Sequence, residues 1–110
     1  MKQIDFPMSA LGIMQECLKH YNNPTTYPET YTKAAFYLDK IEMIIKGEAV
    51  SLTSQNFLEI HSFVISIYSS LLDSKGTVTD KKWTDSQWRK VLEYIEYYYG
   101  KDDTYKVTKR

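Results

Sequence analysis

A cysteine and a histidine stand three residues apart in this chain, at Cys17 and His20, a spacing that puts both side chains on one helix face. Both residue types bind zinc, and His61 offers a third ligand from a different helix. A closed zinc site needs four ligands, and a catalytic site needs three and a water. The sequence contains no Cys-x-x-Cys or His-x-x-x-His pair that could supply the remaining ligands. We therefore interpret Cys17 as a buried apolar residue, His20 as a boundary residue, and predict no metal site.

Nucleophilic catalysis would need Cys17 or a serine activated by a histidine and an orienting third group. Both histidines fall on predicted helices, and no nucleophile elbow, glycine-rich oxyanion loop or phosphate-binding glycine motif is present. Glu93 and Glu96 are three residues apart on the outer side of a predicted helix, where a solvated face explains them better than acid–base catalysis. The sequence predicts a protein that is not an enzyme and uses no cofactor.

A cluster of basic residues marks the start of the last predicted helix, close to Trp83. Basic side chains beside an aromatic ring, near a helix N-terminus, are suited to phosphate contacts. The cluster consists of Lys81, Lys82, Arg89 and Lys90. Acidic residues further along the same helix dilute this charge. A small nucleic-acid-binding transcriptional regulator is therefore the alternative function rather than the preferred one.

Three consecutive tyrosines end the same helix, and they cannot all face one core because consecutive helical residues point about 100° apart. At least one must point outward, next to nearby carboxylates. Exposed tyrosine offers contact area at low entropic cost, and charge steers the encounter with a partner. The predicted partner-binding residues are Glu93, Glu96, Tyr97, Tyr99, Asp102 and Asp103. They favour a protein partner with a basic surface, or self-association as a symmetric dimer.

Four helices are predicted to position these residues, at about 7–21, 28–46, 54–73 and 84–99. The spacing of Thr84 and Gln87 is that of a capping box, which predicts the start of the last helix. Trp83 and Trp88 have the spacing of a hydrophobic staple across that turn, and Gly100 is suited to a left-handed helix end.

The other helices also show start signals. Asp5 is the predicted cap of the first helix. Thr26 and Glu29 form a second capping box before the second helix. The third is capped by Thr53 or Ser51, and because it is apolar on almost every side, it is predicted to be the central helix.

Together these patterns predict an all-α fold: a single domain over residues 1–110, built as a compact four-helix bundle, mostly antiparallel. Residues 101–110 form a short charged tail, expected to be frayed unless Tyr105 and Val107 dock on the bundle.

Composition narrows the function classes further. The 14 basic and 14 acidic residues balance to zero net charge, whereas a non-specific nucleic-acid binder usually has a basic excess. One cysteine allows no internal disulfide, and no apolar stretch resembles a signal peptide or is long enough to span a bilayer. We expect a cytoplasmic protein with no membrane partner.

In size and predicted architecture the chain is similar to bacteriocin-immunity and toxin-neutralising proteins, which are often helical bundles that recognise a partner through a late helix and tail. The similarity is one of shape, and no functional residue is carried over. The resulting hypothesis is a small, non-catalytic protein-binding module such as an inhibitor, immunity or adaptor protein.

Overall fold

The fold combines four helices with a three-stranded sheet, so the all-α prediction is wrong. The computed structural model describes residues 1–110. In chain order the elements are β1 (Lys2–Phe6), α1 (Met8–Tyr21), α2 (Tyr31–Ile45), β2 (Val50–Thr53), α3 (Ser54–Ser70), α4 (Asp85–Tyr99) and β3 (Thr104–Lys109). The fold is therefore of mixed α/β class rather than a helical bundle.

The sheet has the strand order β1-β3-β2. The first strand of the chain pairs with the last in parallel, with Ile4 opposite Val107. The middle strand pairs with β3 antiparallel, with Leu52 opposite Tyr105. Both ends of the chain therefore meet in one sheet, and β3 is its central strand.

The predicted frayed tail is that central strand. Its inward-facing residues Tyr105 and Val107 are 2% and 0% exposed. Each strand supplies only two inward-facing apolar residues, too few for a clear alternating pattern in the sequence. The sheet was missed because its stability comes from pairing between distant segments.

The helices pack around α1, which contacts each of the other three. Its residues Ala10, Leu11, Ile13 and Met14 are all fully or almost fully buried. The prediction that the third helix is central is therefore wrong. Although α3 is apolar on most sides, its Leu58 remains 45% exposed.

The predicted helix starts were partly confirmed. Thr84 accepts a hydrogen bond from the backbone of Gln87, and the Gln87 side chain accepts one in return from the backbone of Thr84. Thr53 caps α3 in the same way. The other two starts were wrong: Asp5 lies in β1, and α2 begins at Tyr31, after Thr26 and Glu29.

One further detail of the last helix differs from prediction, and the tryptophan before it makes a contact that was not predicted. Gly100 ends α4 with φ −86°, outside the left-handed region, and Asp102 takes the positive φ of 52° instead. The Trp83 ring packs over Gly12 of α1, so closely that a Cβ added there would lie 2.7 Å from ring atom Cζ2. Glycine at position 12 is therefore what allows this loop tryptophan to lie against the central helix.

The mixed sheet also removes the basis of the similarity to immunity proteins, which rested on an all-helical shape. None of the four helices combines the length and apolar character needed to cross a membrane.

Candidate functional site

The candidate zinc ligands are only partly brought together, since Cys17 and His20 line one pocket with Glu16 and Asp80, whereas His61 does not. His20 contacts the hydroxyl of Tyr27 at 2.9 Å. His61 lies on α3, where its Nε2 is 3.0 Å from a carboxylate oxygen of Glu96. Nowhere do three or more histidine, cysteine or acidic side chains cluster in a way that could hold a metal ion.

Cys17 lies inside the core and is 1% exposed. Burial, reinforced by the neighbouring Glu16 carboxylate, raises the pKa of its thiol to about 12. A thiol held protonated at neutral pH is a poor nucleophile and a poor metal ligand. In this position Cys17 acts as a small apolar residue of α1.

A polar cluster between α2 and α3 was not predicted. The buried Tyr37 hydroxyl donates to the carboxylate of Glu59 and accepts a hydrogen bond of 3.2 Å from the side chain of Asn56. Burial and the hydrogen bond to Glu59 raise the pKa of Tyr37 to about 12. Lys33 lies 3.4 Å from the same carboxylate, so the cluster is internally paired and holds the two helices together.

Two of the four basic residues in the predicted nucleic-acid patch already contact other groups of the protein. Lys82 forms an ion pair with Glu16 of α1. Arg89 pairs with Asp85 at 2.8 Å and also contacts the carbonyl oxygen of Gly76 at 3.3 Å. Lys81 and Lys90 are exposed and have no ion-pair partner.

Two of the predicted partner-binding carboxylates, Glu96 and Asp103, make contacts within the protein. Glu96 turns toward α3 and contacts His61, whose ring also packs edge-on against Tyr99 at 5.1 Å. Asp103 is held by Ser54, whose Oγ accepts a 2.9 Å hydrogen bond from the Asp103 backbone. Its carboxylate also lies 3.4 Å from the ammonium of Lys2. Glu93 and Asp102 are exposed and free of ion pairs.

Of the three consecutive tyrosines, Tyr97 points outward, as the spacing required of at least one. It is 60% exposed, and the ammonium of Lys101 lies 4.5 Å from the centre of its ring. Tyr98 turns inward, with its ring 4.9 Å from Tyr105 and 6.0 Å from Phe6. The exposed ring therefore carries a cation on its face.

Tyr97 borders a groove between the end of α4 and the strand β1. The groove is lined by Lys2, Gln3, Ile4, Tyr97, Tyr98, Lys101 and Tyr105. Its lining contains two lysines and no carboxylate. We refer to these seven residues as the β1 groove. Sequence reasoning missed it because β1 was not predicted and no local pattern places residues 2–4 beside residues 97–101.

No protein-family model, curated protein or solved structure significantly matches this chain.

Proposed function

We propose that this protein is a non-catalytic protein-binding module whose contact surface is centred on Tyr97 and the β1 groove. The observation that supports this proposal is the 60% exposure of Tyr97 at the edge of that groove. Its neighbours Tyr94 and Tyr98 both pack against Phe6 in the core, at 5.6 and 6.0 Å.

The chemistry of this surface suits protein recognition. Tyrosine is enriched among the residues that dominate binding energy, because its ring gives a large contact with few rotatable bonds. The stacked Lys101 restricts the ring further through a cation–π contact. A pre-positioned ring loses less entropy when a partner binds.

The surface charge favours a different partner from the one that the sequence suggested. Two of the predicted carboxylates, on Glu96 and Asp103, already have partners inside the protein. The β1 groove beside Tyr97 contains two lysines, of which Lys2 is the ion-pair partner of Asp103, whereas Lys101 has no ion-pair partner. An acidic partner surface therefore fits this site better than a basic one.

The test is partner capture from the source cell with the wild-type protein and a Tyr97→Ser variant. Removing the ring is expected to lower the recovery of specific partners at least tenfold, about the loss of one strong interface side chain. Tyr31→Ser is the matched control, because Tyr31 is a 36% exposed tyrosine on α2, outside the groove. Circular dichroism checks that both variants keep the native helix content.

Equal recovery by wild type and Tyr97→Ser would contradict the proposal. So would the recovery of nucleic acid, in place of protein, with retention that falls steeply as salt is raised. That second result would point to the exposed lysines Lys81 and Lys90 instead.

A further inference from the structure

We infer that the partner binds through an extended, acidic segment that adds to the sheet as a fourth strand beside β1. This inference rests on the proposed function and specifies the chemistry of its partner. It follows from the unpaired edge of β1, the exposed ring beside that edge and the charge of the groove.

The direction of the backbone groups in β1 shows which of them are free. The carbonyl oxygen of Phe6 accepts a hydrogen bond of 2.8 Å from the backbone of Arg110, just past the end of β3. Backbone groups of successive residues in a strand point to opposite sides. Gln3 and Asp5 therefore direct their N–H and C=O groups away from β3.

One of these edge groups is already occupied. The Asp5 carbonyl oxygen lies 3.3 Å from the guanidinium of Arg110. Since β1 is the last strand on its side of the sheet, both backbone groups of Gln3 and the N–H of Asp5 have no strand to pair with. Such an edge can receive an extended peptide by strand addition.

The opposite edge of the sheet lacks the features that would hold a peptide. It is formed by the four-residue β2, which contributes no large exposed apolar side chain. At the β1 edge, by contrast, the exposed Tyr97 ring stands on the helix side of the sheet. Alternate side chains of an added strand would rest on this ring and on the half-buried Ile4.

Charge decides what kind of segment fits. The Lys2 side chain is 73% exposed, but its charge is partly compensated by the Asp103 carboxylate at 3.4 Å. Lys101 lies over the Tyr97 ring and has no ion-pair partner, and none of the lining residues is acidic. In a protein of zero net charge, this local positive groove favours a strand that carries carboxylates.

A second copy of this chain is a poorer fit. If β1 of one copy paired with β1 of another, the groove lysines of both would be brought to the same interface. The only carboxylate that β1 itself offers is Asp5. Self-association therefore serves as a competing outcome of the test.

The probe is a capped octapeptide of sequence TEVEVEVT, which alternates β-branched and acidic residues, with TKVKVKVT as its charge-reversed control. Both are titrated into isotope-labelled protein while backbone amide resonances are followed by NMR. We expect the acidic peptide to shift the amides of Gln3, Ile4 and Asp5 and to slow hydrogen exchange at Gln3 and Asp5. The basic peptide should leave them unchanged.

The decisive variant is Gln3→Pro, which removes one outward N–H but leaves the β1–β3 ladder intact. It should weaken binding of the acidic peptide at least tenfold, whereas Gln3→Ala, which keeps the N–H, should not. If Gln3→Pro fails to fold, Lys101→Glu is used with Lys19→Glu, on the exposed side of α1, as its control. Lys101→Glu should weaken binding of the acidic peptide at least tenfold, whereas Lys19→Glu should leave it unchanged.

Three results would overturn the inference. They are the absence of amide shifts in β1 with the acidic peptide, shifts confined to helices, and a dimer in sedimentation that Gln3→Pro dissociates. The proposed function is tested separately. If Tyr97→Ser loses partner capture while the acidic peptide shifts no amide resonance of β1, the binding surface at Tyr97 is supported and strand addition is rejected.

Discussion

At the scale of single residues, neighbours in the chain have opposite roles. Tyr97 is 60% exposed, whereas the next residue, Tyr98, packs among Phe6, Phe57 and Tyr105. The helical rotation between them explains why a run of tyrosines serves both the core and the surface. The prediction of an outward tyrosine was confirmed, but its surroundings depend on β1, which the sequence pattern did not show.

Cys17 provides a prediction at this same scale. Its thiol pKa is raised from the ordinary value of 9.0 to about 12, chiefly by burial. That difference lowers the thiolate fraction near pH 8 by about a thousandfold. We expect the native protein to react with a disulfide reagent far more slowly than the protein unfolded in guanidinium, as measured by thiol release. Equal rates in the two states would contradict the buried position.

The same shift predicts how stability depends on pH. A group whose pKa is raised on folding contributes its full stabilisation below its unfolded pKa and loses it as pH rises toward its folded pKa. The free energy of unfolding should therefore fall between about pH 9 and 12, with Tyr37 adding to the loss above about pH 10. Urea titrations across this range measure it, and Cys17→Ala should reduce the loss between pH 9 and 10.

At the scale of elements, the start of a helix was predictable where the capping groups lie within one turn. The Thr84 box is local, and the structure contains it with both reciprocal hydrogen bonds. The Thr26 and Glu29 pair has equivalent spacing in the sequence, but the chain instead turns on the side chain of Asn23, which accepts from the backbone of Thr25 and Thr26. A competing local turn therefore displaced the predicted cap.

Two substitutions compare these sites directly. Thr84→Ala should lower the free energy of unfolding by about 1 kcal/mol, because a helix N-terminus loses its side-chain acceptor. Thr26→Ala should change it by less than about 0.5 kcal/mol, because the threonine side chain caps nothing. Chemical denaturation monitored by circular dichroism gives both values. A larger loss for Thr26→Ala would mean that α2 begins earlier than Tyr31.

At the scale of the whole molecule, the two ends of the chain are tied together by the sheet. β3 lies between β1 and β2 and covers one side of the helices with Tyr105 and Val107. The Cα radius of gyration is 13.5 Å. A bundle with a frayed tail would not depend on its last residues, whereas this fold loses its central strand without them.

Deleting residues 104–110 tests this dependence. The expected result is loss of the cooperative thermal transition and a larger radius of gyration in solution scattering, because both edge strands lose their only partner. Lys106→Ala is the control, since it keeps the strand and changes only an exposed side chain. A truncated chain that keeps its helix content and a sharp transition would show that the sheet is dispensable.

Local sequence patterns predicted the four helices, the Thr84 cap, the outward turn of one tyrosine and the burial of Cys17. These features depend on residues within a few turns of one another, where periodicity and capping chemistry act locally. The sheet, the central position of α1 and the β1 groove arise only from tertiary contacts. Pairing Ile4 with Val107 joins positions more than a hundred residues apart. No local pattern records such a contact, because its free energy appears only when the whole chain has folded.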